Sequence, residues 1–350
     1  MAKRRLDRAI SNKDILIRLQ NKGITTSKDL LELNDFQLMY ILDERRETVE
    51  QLMEEITDWL APKVFTALDL LRKRQRKEKN PGGFLSTGIP GLDQALYQGY
   101  PTGSLTELVG PAGVGKSQMC LMAAAAVCCA DLGGVIYLDT ERKFSADRFM
   151  EILNHFHYNT CGCPPSEREM ELLMDKVTIF PIDNSEQLTE RLESLDALIA
   201  ETEARLVILD SVAALARKDF SPDDTAARQE LLMKQAAILK QIGDDFEVAV
   251  LVVNQVTTVF GSGSTTGEDH GSEEGKIAAA LGNSWHHCVS TRLVLKQVAS
   301  HRSITVQKSP LAGESTVRFI IQASGIHEID ESDNILHQSS AQMIQEVFVY

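Results

Sequence analysis

Eight consecutive residues, Gly110-Pro-Ala-Gly-Val-Gly-Lys-Ser117, carry the most specific chemistry in this chain. They fill every position of G-x-x-x-x-G-K-[ST], from Gly110 through Pro111, Ala112, Gly113, Val114 and Gly115 to Lys116 and Ser117, with Gln118 next. The apolar run "SLTELV" precedes them and "QMCLMAAAAVCCA" follows soon after, so the motif sits where a strand turns into a helix, the context it requires. The glycines let successive backbone N–H groups turn inward around phosphate oxygens, Lys116 reaches the terminal phosphates, and the Ser117 hydroxyl can hold a divalent cation. This pattern predicts binding of ATP with Mg²⁺.

Carboxylates at the ends of other apolar runs complete such a site. Asp210 closes "RLVILDS", at the strand end where ligands to these sheets sit, and is expected to hold Mg²⁺ through water. Asp139 and Glu141 end "GVIYLDTE". Of the two, Glu141 is the candidate to orient and deprotonate an attacking water, with Asp139, nearer the buried end, as a cap on the strand terminus. Gln255, after "VLVVN", is expected to sense a γ-phosphate by switching its amide hydrogen bonds.

These residues need elements to hold them. From residue 84 to 350, apolar β-type runs ("SLTELV", "GVIYLDT", "KVTIFPI", "RLVILDS", "VAVLVVNQ") alternate with helical stretches ("KSQMCLMAAAAVCCA", "SADRFMEILNHF", "NSEQLTERLESLDALIAETEA", "TAARQELLMKQAAILKQIGDDF"), which implies an α/β core with a mostly parallel central sheet covered on both faces. Three later runs, "STRLVLKQ", "RSITVQKS" and "STVRFIIQASGI", extend the sheet through hairpins. Residues 1–60 read as a small all-helical domain, with starts at Ser11 and Thr26, Leu16 and Leu19 on one face, and Val49, Leu52, Met53, Ile56 and Leu60 at helical spacing. Residues 61–83 form a basic linker with an oligomerisation segment, "VFTALDLL" with Val64, Phe65 and Leu68 followed by "RKRQRKEK" and "NPGG", the basic part suited to a hinge, a nuclear localisation signal or a DNA contact.

Composition narrows the classes. The 350 residues carry a net charge of -14, which argues against a general nucleic-acid coat held by bulk positive charge. Six cysteines, three of them in or beside an apolar helix, fit a reduced intracellular protein, and the "CGC" pair lacks zinc-site spacing. No run reaches the roughly 20 apolar residues of a membrane span.

Taken together, "LSTGIPGLDQALYQGYPTGSLTELVGPAGVGKSQ", "VIYLDTE", "LVILDS", "LVVNQ" and "LGNSWHHCVSTRLVL" resemble the RecA-like recombinase family in its eukaryotic strand-exchange branch. The resemblance covers most of residues 84–325. It implies that Lys116 and Ser117 are the phosphate and Mg²⁺ residues, Glu141 the catalytic glutamate, Asp210 the second acidic motif, and Gln255 the link from ATP to the second DNA-binding loop. Arg148, in "SADRF", matches a family arginine that packs against adenine.

Departures from that pattern point to the family's paralogues, the B-type branch above all. The linker carries Phe65 and Ala67, one residue short of the spacing used for self-polymerisation. The first DNA loop has Asp223 and Asp224, and the second has Glu268, Asp269, Glu273 and Glu274 against Lys276, like-signed groups that cost affinity for phosphates. "LGNSW", ending at Trp285, is similar to the paralogues. Where filament formers place an acidic residue over the neighbour's ATP, this chain has Lys308, which the resemblance makes a candidate trans-acting cation on the transferred phosphoryl group. The paralogue resemblance implies a nuclear hetero-oligomer with the C-type, D-type and related paralogues, acting with the strand-exchange recombinase on single-stranded or branched DNA. The alternatives are an autonomous strand-exchange recombinase and an interaction subunit that holds ATP without turnover.

Overall fold

The computed structural model describes residues 6, 9–10, 12–61, 64–69, 72, 83–221, 224–258, 277–279, 281–298 and 301–329. The chain divides into two compact units, Met1–Lys73 and Arg74–Tyr350. Among the described residues no helix is long and apolar enough to cross a membrane.

The first unit contains α1 (Lys13–Asn21), α2 (Ser27–Leu31), α3 (Asp35–Leu42) and α4 (Arg46–Leu60). Its helix starts are set by side chains that satisfy otherwise orphaned N–H groups. Asn12, not Ser11, begins α1: its Oδ1 accepts from the N–H groups of Asp14 at 3.0 Å and Ile15 at 3.4 Å, while Ser11 lies outside the described residues. Thr26 starts α2 as expected, in a reciprocal pair with Asp29, and Asn34 with Gln37 repeats the device at α3. The core gathers Ile15, Leu19, Leu30, Leu38, Leu42, Val49, Leu52 and Ile56. Ile15 rather than Leu16 shares the buried face with Leu19, four residues on, and Leu16, Met53 and Leu60 pack at its margin.

The second unit runs β1 (Phe84–Leu85), α5 (Pro90–Ala95), β2 (Tyr100–Pro101), β3 (Ser104–Gly110), α6 (Lys116–Cys129), β4 (Gly134–Asp139), α7 (Ala146–Cys161), α8 (Glu167–Asp175) and β5 (Val177–Pro181). It continues through α9 (Ser185–Glu193), α10 (Leu195–Thr202), β6 (Ala204–Asp210), α11 (Val212–Lys218), α12 (Thr225–Phe246), β7 (Ala249–Thr258), β8 (Ile277–Ala279) and α13 (Gly282–Cys288). β9 (Thr291–Val298), β10 (His301–Lys308), β11 (Thr316–Gln322) and β12 (Gly325–Glu328) follow. The sheet order is β12-β11-β10-β9-β3-β7-β6-β4-β5, with β8 on β7. Neighbours from β9 to β5 are parallel, and β9 to β12 form an antiparallel meander. The third predicted β run divides into β11 and β12 around a turn at Ala323 and Ser324.

Alternation of side chains explains why the parallel strands read as unbroken apolar runs. On β4, Val135 and Tyr137 enter one core with α6, while Ile136 and Leu138 enter the opposite core with α10 and α12. On β6, Leu206 and Ile208 divide from Val207 and Leu209 in the same way. Both faces are therefore dry.

One charged pair lies within this apolar frame. Glu107 on β3 has no exposed surface, and its carboxylate accepts from Arg292 Nε at 2.6 Å. Removing one partner leaves the other charge buried and unpaired, so Arg292→Met should destabilise the core by about 3–5 kcal/mol. Lys28→Ala, breaking an exposed i,i+4 pair with Glu32, should cost under about 1 kcal/mol. Chemical denaturation of each variant checks this; equal small effects would mean the buried pair contributes nothing.

Candidate nucleotide site at the carboxyl edge of the sheet

β3 delivers the chain to the phosphate-loop motif, and two glycines allow the loop its shape. Gly115, at φ 109°, caps α6 in a conformation side chains rarely adopt, and a Cβ there would meet Ile321 Cδ1 at 2.7 Å. Gly113, at φ 77°, opens onto empty space. Lys116, the first residue of α6, is 7% exposed, and its Nζ donates to the carbonyls of Gly110 at 2.8 Å and Pro111 at 2.7 Å. Burial pushes its pKa down, against the opposing pull of Asp210 and Glu141.

Asp210, at the end of β6, is buried between two hydroxyls. Tyr137 Oη donates to its Oδ2 at 2.8 Å and the Ser117 side chain also bonds to it. Burial raises the Asp210 pKa despite these donors. An incompletely compensated carboxylate beside a serine hydroxyl is an all-oxygen set that suits Mg²⁺, so Ser117 and Asp210 fit the cation expected of them. The Asp210–Ser211 peptide is cis.

Asp139 does not line the cavity that these residues surround. Its carboxylate accepts from the N–H groups of Glu141, Lys143 and Phe144 at 3.2, 3.2 and 2.9 Å, folding the loop after β4. That loop presents Glu141. Glu141 Oε1 accepts from Ser211 Oγ at 2.8 Å and from Gln255 Nε2 at 2.6 Å, and Oε2 pairs with Lys143. Gln255 Oε1 in turn accepts from Arg217 at the end of α11. A single amide thus spans a carboxylate and a guanidinium.

These groups surround one cavity of about 260 Å³, lined by Ala112, Gly113, Gly115, Lys116, Ser117, Gln118, Glu141, Lys143, Asp210, Val253, Gln255 and Ile321. Gly110, Pro111 and Val114 belong to the loop without lining it. Arg148 lies beside the cavity rather than in it: its Nε donates to Gln118 Oε1 at 2.8 Å, and its other nitrogens bind Glu151 and the carbonyls of Gln322 and Ala323. Lys308 is not among the residues that line the cavity. Its ammonium donates to the carbonyls of His286 at 2.9 Å and Val289 at 2.7 Å, so in its own chain it closes the C-terminal end of α13.

Lys143, Ser211, Arg217 and Ile321 complete the site without being singled out by the motifs. Lys143 follows Glu141 by two residues, a visible signal; Arg217 and Ile321 arrive only through folding. Of the loop acids, Asp224 is held by Ser221 Oγ at 2.7 Å, while Asp223, Glu268, Asp269, Glu273, Glu274 and Lys276 lie outside the described residues. A second cavity, of about 400 Å³, between α5 and β11–β12 has its acid, Glu328, accepting from the Gly91 N–H at 2.7 Å.

A parallel sheet with a phosphate loop at its carboxyl edge, extended by an antiparallel meander, defines a RecA-like P-loop core. The crystal structure of the RadB recombinase has this fold, with a TM-score of 0.56 at 23% identity over 71% of this chain and 100% of that one. The Rad51 family model matches residues 83–329. The chain is 34% identical to DNA repair protein RAD51 homolog 2 of Mus musculus, covering 93% of this chain and 98% of the relative. It is 33% identical to the Homo sapiens protein of that name, over 93% and 89%. The chain belongs to the Rad51 family, as a RecA-like recombinase paralogue of the B type.

Glu141 supplies a direct test of the site. Burial alone would raise its pKa, but hydrogen bonds from Lys143, Ser211 and Gln255 outweigh it and the net shift is downward. The ionised form is thus favoured by folding: its stabilisation is present at neutral pH and is lost as pH falls through the lowered pKa. Carboxyl ¹³C NMR should find Glu141 titrating below the ordinary glutamate range, and Lys143→Met should move the midpoint upward. An unmoved midpoint would show that Lys143 does not hold the carboxylate.

Proposed function

We propose that this chain is an ATP-binding and ATP-hydrolysing subunit of a nuclear hetero-oligomer of recombinase paralogues. In this reading it assists homologous recombination by loading or remodelling the recombinase filament on single-stranded DNA. The observation that carries it is the convergence of Lys116, Ser117, Asp210, Glu141 and Gln255 on one cavity. The cations nearest the first DNA loop support an assisting role, because Arg217 is engaged by Gln255 and Lys218 Nζ by the Asp183 carbonyl at 2.8 Å. Relatives named as DNA repair proteins support the pathway.

The chemistry follows from the groups in place. Lys116 would exchange its two carbonyl partners for phosphate oxygens, a favourable trade for a desolvated ammonium. Ser117 and Asp210 would hold Mg²⁺, which when bound neutralises charge on the phosphates. Glu141, ionised at neutral pH, accepts the proton of an attacking water at a carboxylate oxygen. Gln255, already bonded to Glu141, reports the change to Arg217 and so to α11. Arg148 contributes by fixing Gln118 and the β11–β12 turn beside the nucleotide, with adenine packing as the family resemblance implies.

Glu141→Gln, in the complex purified with its C-type and D-type partners, should retain ATP binding and lower hydrolysis on the order of 10²-fold. Both Glu141 oxygens are occupied by donors, which favours a second reading in which ATP holds an interface without turnover. Bound ATP with no phosphate release in the unmutated complex would establish that reading and overturn the first. Long filaments of the isolated chain on single-stranded DNA would instead mark an autonomous recombinase.

Docking of partners is assigned to the helical unit and linker, where Val64 and Leu68 are exposed apolar side chains. Val64→Asp with Leu68→Asp should reduce recovery of partner on affinity-tagged chain while ATP binding persists. Undiminished recovery would place the contact elsewhere.

A further inference from the structure

Glu107 takes no part in the nucleotide chemistry, yet its buried carboxylate receives donors from three separate elements. Its Oε1 accepts from Asn254 Nδ2 and from Trp285 Nε1, both at 2.7 Å, and its Oε2 accepts from Arg292 Nε at 2.6 Å. Asn254 immediately precedes Gln255 on β7. Because side chains alternate along a strand, Gln255 enters the nucleotide cavity while Asn254 crosses to the opposite face and meets Glu107. Beyond Gln255, β7 pairs with β8 in the register Val256 to Ala279, and the chain then enters α13, which carries Trp285.

That helix is clamped at further points. Lys308 donates to the His286 and Val289 carbonyls, and Arg292 meets His286 Nδ1. The clamp is not saturated: Asn254 Oδ1 and one terminal nitrogen of Arg292 are buried without a partner. Unmet polar groups in a low dielectric are costly, so an arrangement in which Arg292 donates to Asn254 would relieve both at once. The network is therefore one whose polar atoms would gain from a rearrangement among the same residues.

We propose that Glu107 is a positioning residue that couples the state of Gln255 to helix α13, through Asn254 on one side and Trp285 on the other. When Gln255 changes partner, Asn254 moves with the strand, the Glu107 carboxylate redistributes its bonds, and Trp285 feels the change. Linkage makes the coupling reciprocal: whatever fixes α13 alters nucleotide affinity by the same factor. The inference rests on the reading of the cavity as a nucleotide site, and its test keeps the two apart.

The chain contains two tryptophans, so Trp59→Phe leaves Trp285 as the sole indole, hydrogen-bonded to the carboxylate in question. Binding of a fluorescent ATP analogue and of ADP to this full-length protein, with Mg²⁺, is measured first by anisotropy; absence of binding would remove the nucleotide reading itself. Where both bind, Trp285 emission should differ between ADP and a non-hydrolysable ATP analogue. Adding Asn254→Ala, which cuts the strand from Glu107 and leaves the Trp285 bond, should abolish most of that difference while anisotropy still reports binding. Hydrogen exchange of residues 282–288 in the unmutated chain gives a second measure should Asn254→Ala fail to fold: exchange should differ between the two nucleotides. Bound nucleotide with identical Trp285 emission and identical exchange, or a difference that survives Asn254→Ala undiminished, overturns the coupling.

Discussion

A lysine ammonium almost without solvent at the first turn of a helix is the constraint around which the core is arranged. Lys116 is doubly unfavourable where it stands: it is desolvated, and it lies at the helix end that prefers anions. The carbonyls of Gly110 and Pro111 satisfy its protons, while Asp210 and Glu141 supply the opposing charge. Those carboxylates come from the ends of β6 and the loop after β4, so strand order and register must both be right for the cation to be tolerated. A polyanion brought to the same place would satisfy the ammonium and the helix terminus together. Charge stored against preference is what would make the cavity receptive to phosphate.

The two faces of the sheet divide the work. Gln255 and Val253 line the cavity at the carboxyl edge of the sheet, while Asn254 and Glu107 point into the core beneath α13. Adjacent residues on one strand thereby line the cavity on one side and pack on the other. Polar atoms on the packing side are few, and each is committed to a partner or conspicuously short of one. That economy is why a single carboxylate can join β3, β7, α13 and β9.

Much of this was legible before folding was considered. The spacing of Gly110–Ser117 and the carboxylate closing "RLVILDS" located the cavity because local sequence encodes a strand-to-helix turn and a strand end. The bounds of α12 matched the run "TAARQELLMKQAAILKQIGDDF" residue for residue. Other features depended on groups far apart in sequence. The continuous helix expected from Asn184 to Ala204 breaks at Ser194 into α9 and α10, and α8 and α11 were not anticipated at all. Arg217 reaches Gln255 and Lys308 reaches α13 only because the sheet brings them together; the family resemblance gave Lys308 a role across an interface, and within its own chain its ammonium donates to carbonyls of His286 and Val289. Asn12 displaced Ser11 as a cap because two neighbouring residues compete for one position and only geometry decides between them.

The central claim is that the cavity is a working Mg²⁺-dependent ATP site built on Lys116. Isothermal titration of the full-length chain with ATP in the presence of Mg²⁺, repeated with Lys116→Ala, tests it most directly. The account predicts saturable binding by the unmutated chain and its loss in Lys116→Ala, with the variant still folded by circular dichroism. ATP binding of equal affinity in the two proteins, or none in either, would contradict it.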